Sequence, residues 1–371
     1  MPVYDLVVAL NYYSPYVSGV TEAARVVAEG AAARGQRVLV IAGRHDDELP
    51  QDERINGVQV HRTKVVARIG KGTVSPGFVP AVVRAARRAK VLNLHLPMLE
   101  AGLIATAVRS TPVVTTYQCD VSLPKSVIND LQVKALDMSH SIALRRSVAV
   151  AVTSNDYARS SRVWEHMRKR VHEIPAPGIL RAGGRPVFRD GNGFHVGFLG
   201  RIVEEKGLEY LVDGFRALPD VDARLLIAGD FTKVAGGSVV DRVRARIGDD
   251  HRIKLLGFLA EADLPDFYTS LDVFAFPSVN SLEAFGLVQV EAMMVGVPVL
   301  ASDLPGVRMP VRLTGFGEIV APRASEEITA ALERMRSPRG DTLAAIALAR
   351  ELYGAQGVVH RYCELFARAG S

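Results

Sequence analysis

Pro277-Ser278-Val279-Asn280-Ser281-Leu282-Glu283-Ala284-Phe285-Gly286-Leu287-Val288-Gln289-Val290-Glu291-Ala292-Met293-Met294-Val295-Gly296-Val297-Pro298-Val299-Leu300-Ala301-Ser302 follows the apolar run Val273-Phe274-Ala275-Phe276. The order predicts the end of a buried parallel strand, a polar loop, a helix of about three turns and another buried strand. Gly296 stands where a helix C-cap is expected. Glu283 lies at the expected helix mouth and Glu291 inside the helix, so eight residues would separate them by about 12 Å. That is close to the span of a sugar, a diphosphate and a ribose. Between them Phe285, Gly286 and Leu287 would present free backbone N–H groups where an anion binds readily. A bare pair of glutamates is more often a solvated acid near a helix N-terminus and an unrelated helix residue.

The flanks favour the first reading. Glu283, Phe285-Gly286, Glu291-Ala292-Met293 and Gly296-Val297-Pro298-Val299 together resemble the signature of the family 4 glycosyltransferases. That resemblance implies an α/β protein of GT-B fold, with two doubly wound Rossmann-like domains facing a central cleft. It also implies a nucleotide-sugar donor, with Glu283 on the hexose and Glu291 on the ribose.

The 371 residues have room for two domains. No apolar run reaches the ~20 residues of a membrane span, and Leu6-Val7-Val8-Ala9-Leu10, preceded by Asp5, reads as a strand and not a leader. Two cysteines, Cys119 and Cys363, exclude a disulfide framework and a zinc cluster, and a reducing cytoplasm is expected. Residues 1–178 carry 23 Lys+Arg against 15 Asp+Glu, a balance of +8, and the remainder 22 against 25, or −3. A basic first half suits a lipid-linked or phosphorylated acceptor and a peripheral position at the inner membrane face, or is a solubilising surface. Nucleic acid is not an expected partner.

Strand Tyr4–Leu10, a loop to Gly19, a helix over 20–34 and strand Val38–Ala42 form a βαβ unit, whose ligands bind beyond the strand C-termini. In the resembled family paired glycines approach the donor diphosphate here; this chain has Ser18-Gly19, leaving Gly19. Residues 62–80 read as a mobile basic loop, and 79–90, with Arg84, Arg87, Arg88 and Lys90, as a basic amphipathic helix that packs on the sheet or meets a membrane. His95 ends the strand Val91–Leu96; a histidine in an apolar run is as often a core residue, but the family has one at this position. Gln118 replaces the histidine that family members place after the aromatic of Val113–Asp120, and a glutamine cannot shuttle a proton. Gln118 and Asp120 are therefore expected on the acceptor side.

Breakers across 175–193 mark a linker, giving domains 1–178 and 191–355, with a last helix in 356–371 returning to the first. After Phe194–Gly200, Arg201 and Lys206 match the spacing of the family's phosphate-binding pair and would neutralise a departing diphosphate. The resemblance also implies that the backbone at Gly257-Phe258-Leu259 holds the base. After Ser302 the chain has Gly306-Val307-Arg308-Met309-Pro310 where the family continues with an acidic segment. The resemblance thus implies a retaining hexosyltransferase acting by a front-face route. Glu283, Arg201, Lys206 and His95 would be catalytic, with no metal and no cofactor beyond the donor. An epimerase or hydrolase on the same fold, or a sugar-binding protein, are the alternatives.

Overall fold

The computed structural model describes residues 2–69, 72–123, 126–231, 237–337 and 341–371. The chain forms two compact units, Met1–Pro177 with Ala355–Ser371, and Gly178–Gly354.

The first unit contains β1 (Tyr4–Ala9), α1 (Gly19–Ala33), β2 (Val38–Arg44), β3 (Asp52–Ile55), β4 (Val58–Lys64), β5 (Ala67–Ile69), β6 (Gly72–Val74), α2 (Phe78–Ala86), β7 (Ala89–Leu96), α3 (Ala101–Ala107), β8 (Val113–Tyr117), α4 (Val127–Arg146), β9 (Ala149–Val152), α5 (Asn155–Ser160), α6 (Trp164–Met167) and β10 (Val171–Glu173). Its main sheet is ordered β10-β9-β8-β7-β1-β2-β4-β3, parallel except for the edge strand β3. From β1 the chain builds outward through β2 to β4, then restarts at β7 on the other side. The order therefore reverses between β1 and β7. Ser18 caps α1, its Oγ accepting from the Thr21 amide, and Ala24, Val27, Ala28 and Ala31 form the buried stripe.

The second unit contains β11 (His195–Leu199), α7 (Leu208–Arg216), β12 (Arg224–Ala228), α8 (Val240–Ile247), β13 (Ile253–Gly257), α9 (Leu264–Thr269), β14 (Val273–Phe276), α10 (Leu287–Met294), β15 (Val299–Ser302), α11 (Met309–Thr314), β16 (Gly317–Val320), α12 (Ser325–Arg334) and α13 (Thr342–Tyr353). Six parallel strands run β13-β12-β11-β14-β15-β16, so here the order reverses between β11 and β14. The final helix, α14 (Ala355–Gly370), belongs to the first unit, where Val358, Tyr362, Leu365 and Phe366 join its core. Gly30 of α1 lets α14 approach: a Cβ there would stand 2.7 Å from the Val359 methyls.

Several expectations are corrected. The loop expected over 62–80 is largely structured: 62–64 complete β4, and β5 and β6 pair as a hairpin, with Gly70 and Lys71 outside the described residues. Arg62, expected at the start of that mobile loop, is fully buried; it pairs with Glu53 and donates to the carbonyl oxygens of Ser14 (2.7 Å) and Pro50 (3.1 Å). The basic helix is shorter than expected. Its apolar residues Phe78, Val82, Ala85 and Ala86 are buried, Arg87 and Arg88 lie past its end, and Lys90 sits in β7 paired with Asp5 (2.9 Å). No apolar face of α2 remains for a membrane. Among the described residues no helix is long and apolar enough to cross one.

The linker glycines serve close approach: a Cβ at Gly184 or Gly193 would run into the carbonyls of Pro265 or Asp222. From Gly178 onward the segment is held by the second unit, through Arg185 N–H to Asp266 (2.7 Å) and Phe188 N–H to Ser270 (3.1 Å).

Candidate active site

Ligands of doubly wound sheets bind beyond the strand C-termini where the order reverses. In the second unit that point lies beyond β11 and β14. The loop after β11 carries Arg201 and a single tight turn, Glu204–Lys206; the loop after β14 runs from Pro277 to Gly286. The two are joined: the Val279 amide donates to the Glu205 carbonyl (3.0 Å). Gly207, at φ +65°, lies so close that a Cβ would overlap the Pro277 carbonyl. This contact delivers Lys206 to Glu283, and the two form an ion pair, each side chain largely buried, with the Lys206 ammonium 4.9 Å from the centre of the Phe276 ring. The sequence expectation placed Lys206 on a phosphate and Glu283 on a sugar; here they hold each other. Arg201 is half exposed and contacts Glu205 at 3.3 Å.

Glu283 is not at the mouth of a helix. Gly286, at φ +87°, turns the chain, and α10 starts only at Leu287, four residues later, and makes little more than two turns. The 12 Å helical ruler between the two glutamates therefore does not apply. Gln289, overlooked in the sequence, fixes the turn: its side-chain amide donates to the Phe285 carbonyl and to the Val307 carbonyl (3.0 Å). The amides of Leu287 and Val288, the first of α10, have no acceptor among the described residues. The Phe285 ring is buried against Tyr353, so only its backbone faces the turn.

Glu291 is buried. Its carboxylate accepts from the Ile179 amide (3.3 Å), Arg181 Nε (3.3 Å) and the Tyr268 hydroxyl (3.4 Å). Burial pushes its pKa up, and the adjacent Arg181 opposes that rise. Arg181 sits 110 residues away in the expected linker, so nothing in the local sequence points to it. Phe258, after β13, is 75% exposed.

In the first unit the reversal lies beyond β1 and β7. Gly19 opens α1 with open space where a Cβ would be, and the amides of Gly19 and Val20 have no acceptor among the described residues. His95 is buried at the end of β7, its Nδ1 3.4 Å from the Gln118 amide and its Nε2 without a partner among the described residues. Burial pushes the imidazole down to about 3, so it is neutral at physiological pH. Gln118 also points at the Val20 carbonyl (3.5 Å), so the structure brings His95, Gln118 and the start of α1 together.

Asp120, expected to face acceptor hydroxyls, is instead engaged. It accepts from the hydroxyls of Tyr117 and Ser161 (3.0 Å) and the Arg162 amide (3.1 Å). Unforeseen in the sequence is an aromatic group beyond β1 and β2: Tyr12 stacks on Tyr16 with centroids 4.4 Å apart, and His45 packs against both.

The family model described as glycosyl transferases group 1 matches residues 186–345, and that of a glycosyl transferase 4-like domain matches residues 18–177. A phosphatidyl-myo-inositol mannosyltransferase of Mycobacterium leprae is 31% identical over 91% of this chain and 87% of its own length. An uncharacterised glycosyltransferase of Methanocaldococcus jannaschii is 33% identical over 38% of the chain, which spans only 36% of that protein. Among solved structures, a sucrose-phosphate synthase from Thermosynechococcus elongatus superposes with a TM-score of 0.79 at 19% identity, covering 98% of each chain.

Proposed function

Because the chain belongs to the family 4 glycosyltransferases and has their GT-B fold, we propose that it moves a hexosyl unit from a nucleoside diphosphate sugar to an acceptor hydroxyl, with retention at the anomeric carbon. The observation that carries this reading is the joined pair of loops beyond β11 and β14, where Lys206, Glu283 and the open amides of α10 converge.

A diphosphate entering there exchanges partners with Glu283. Lys206 turns to the phosphate, Arg201 adds a second cation, and the Leu287 and Val288 amides take a phosphate oxygen. Glu283, released, accepts from hexose hydroxyls. Glu291 takes the ribose hydroxyls and the Phe258 backbone the base, while the uncrowded Gly19 backbone approaches the phosphates. These side chains and amides supply the positive charge the leaving group needs, so no metal is invoked. His95 and Gln118 donate and accept hydrogen bonds near the transferred sugar without carrying a proton across.

Of the carboxylates that the sequence singles out, Asp120 and Glu291 are engaged by protein groups, and Glu283 is given to the hexose hydroxyls. That favours a front-face step over a covalent glycosyl intermediate. The bond from the anomeric carbon to the phosphate oxygen breaks and the bond to the acceptor oxygen forms on the same face. The acceptor proton passes to the departing phosphate oxygen, and the nucleoside diphosphate leaves. The excess of eight positive charges in residues 1–178, together with the phosphatidyl-myo-inositol acceptor in the name of the relative that covers most of the chain, favours a polyol bearing a phosphate or lipid as acceptor. A protein acting on such a lipid works at the inner membrane face.

Calorimetric titration with UDP-, GDP-, ADP- and dTDP-sugars tests the donor site. One base is expected to bind selectively, and Lys206→Ala is expected to weaken it by about ten- to a hundredfold, the loss of one charge-assisted contact. Labelled sugar should then pass to phosphatidylinositol or an inositol phosphate. Free sugar released without an acceptor would indicate a hydrolase, and no binding of any donor would refute the reading.

A further inference from the structure

Arg181 stands between two carboxylates of the second unit. Its side chain is only 12% exposed; its Nε donates to Glu291 Oε2 (3.3 Å), and its Nη1 pairs with Glu261, whose side chain is 72% exposed. Glu261 opens the turn Glu261–Asp263, three residues after Phe258. One guanidinium therefore ties the segment assigned to the base to the acid assigned to the ribose. The chain reaches this position because Gly178 has no side chain. A Cβ there would stand 2.8 Å from Met294 Cε and 3.0 Å from Val290 Cγ2, so the segment that carries Ile179 and Arg181 starts out pressed against α10.

The donors around Glu291 are evenly divided. The Ile179 amide takes a lone pair of Oε1, and Arg181 Nε takes one of Oε2. Tyr268 has a single proton, and the Val288 carbonyl (3.2 Å) is nearer to it than Oε2 (3.4 Å). That proton stays with Val288 when a ligand hydroxyl approaches Oε2. An ionised carboxylate has about four acceptor sites, so one remains on each oxygen. Two neighbouring acceptor sites suit the 2′,3′-diol of a ribose, whereas a 2′-deoxyribose fills only one. A buried carboxylate stays ionised only beside a cation, and among the described residues Arg181 is the one cation within ion-pair distance of Glu291.

Resting on the assignment of Glu291 to the ribose, we propose that Arg181 is a positioning residue of the donor site. It holds Glu291 as a diol acceptor, ties it to the base segment through Glu261, and so makes the site select a ribonucleoside over a 2′-deoxyribonucleoside diphosphate.

The same contact sets how the site responds to pH. Burial raises the Glu291 pKa and Arg181 opposes the rise, so without the guanidinium Glu291 keeps its proton to higher pH. The other groups facing it are Tyr268, which burial and Glu291 itself keep protonated, and Glu261 beyond Arg181. The strands beside α10, β14 and β15, carry no charged residue, and Arg350 of α13 is committed to the Met294 carbonyl (2.8 Å).

Calorimetric titration with UDP, GDP and ADP, each beside its 2′-deoxy counterpart, tests the role from mildly acidic to alkaline pH. At neutral pH the native chain is expected to bind the ribonucleotide at least about tenfold more tightly than the deoxy form, the worth of one hydrogen bond to a charged acceptor. In Arg181→Gln that ratio should fall toward one at neutral pH and recover only at higher pH than in the native chain. Should this variant misfold, Arg181→Lys decides. A lysine keeps the charge beside Glu291 but cannot fork to two acids, so the ratio should persist while both nucleotides bind about three- to tenfold more weakly.

Equal binding of the two nucleotides by the native chain would overturn the proposal. So would an Arg181→Gln chain with the native ratio and pH profile, or one that loses both nucleotides alike at every pH, the mark of a structural role. Arg181→Lys losing the ratio, or binding as the native chain does, counts against it equally. A ratio that survives Glu291→Gln would remove the ribose assignment beneath it. No binding of any nucleotide by the native chain would refute the donor site as a whole, and the role of Arg181 with it.

Discussion

His140 and His95 are both withheld from water in the first unit, and burial pushes their imidazoles down to about 4 and about 3. His140 is also fixed in its neutral form, because its Nε2 accepts the Met98 amide (3.2 Å). In the unfolded chain both would titrate near the ordinary value of about 6.5. As pH falls below that value the unfolded chain takes up protons that the folded one refuses. Stability is therefore intact above about pH 6.5 and is lost steadily as pH falls toward the folded values, by about 1.4 kcal/mol per pH unit for each histidine. His140 stands apart from the candidate site, so His140→Gln, whose side-chain oxygen can still accept from Met98, isolates the effect. Urea unfolding at neutral and mildly acidic pH should show a shallower loss in the variant. Equal slopes would mean that His140 is accessible to protons in the folded state.

Not every residue assignment could be made from sequence. Glu283 and Lys206 are legible as candidates because each lies in a short motif, and the structure brings them together as an ion pair. Arg181 and the buried role of Arg62 are not, since the groups they satisfy come from elsewhere in the chain or from backbone carbonyls.

At the scale of elements, the site depends on two loops held at contact distance, and Gly207 sets that distance. Its φ of +65° costs a substituted residue about 1 kcal/mol, and a Cβ must also push away the Pro277 carbonyl. Gly207→Ala is therefore expected to part Lys206 from Glu283, to weaken donor binding by tenfold or more and to lower the melting temperature. Gly315 is the control: its φ is also +65°, in the same left-handed region, but a Cβ there meets nothing within 4 Å. Gly315→Ala should lose about 1 kcal/mol of stability and keep donor affinity. Calorimetry and melting curves on the two variants decide it, and native-like binding by Gly207→Ala would show that the loops move independently.

The strands of both units are readable as apolar runs, since parallel strands covered on both faces leave no polar interruption. Helices are less so where backbone conformation intervenes. α10 starts late because Gly286 adopts positive φ, and α2 stops early because Ala89 and Lys90 are drawn into β7. α4 carries the N-cap signal Ser126, whose Oγ accepts from Asn129 N–H, but its opposed apolar stripes leave no single amphipathic face by which to find it.

At the scale of the whole molecule, each unit has its own core, and the path of the chain makes the first depend on its last helix. Val358, Val359, Tyr362, Leu365 and Phe366 are buried, against α1 and the sheet of the first unit. At ~1.5–3 kcal/mol for each large apolar side chain, their burial is worth on the order of 10 kcal/mol, as much as the net stability of a typical domain. Removing α14 would also expose the Gly30 face of α1, which has no side chain to cover the gap. The second unit ends at Gly354 and keeps its core of Phe198, Phe215, Leu225, Ile227 and their neighbours intact. A chain ending at Gly354 should therefore lose the cooperative unfolding of the first unit while the second still melts cooperatively. Calorimetric scanning should show one transition of reduced enthalpy, and hydrogen exchange should show β1, β2 and β7 unprotected while β11, β12 and β14 stay protected. If instead β1, β2 and β7 remain protected, α14 adds only surface contact and the first unit is closed without it.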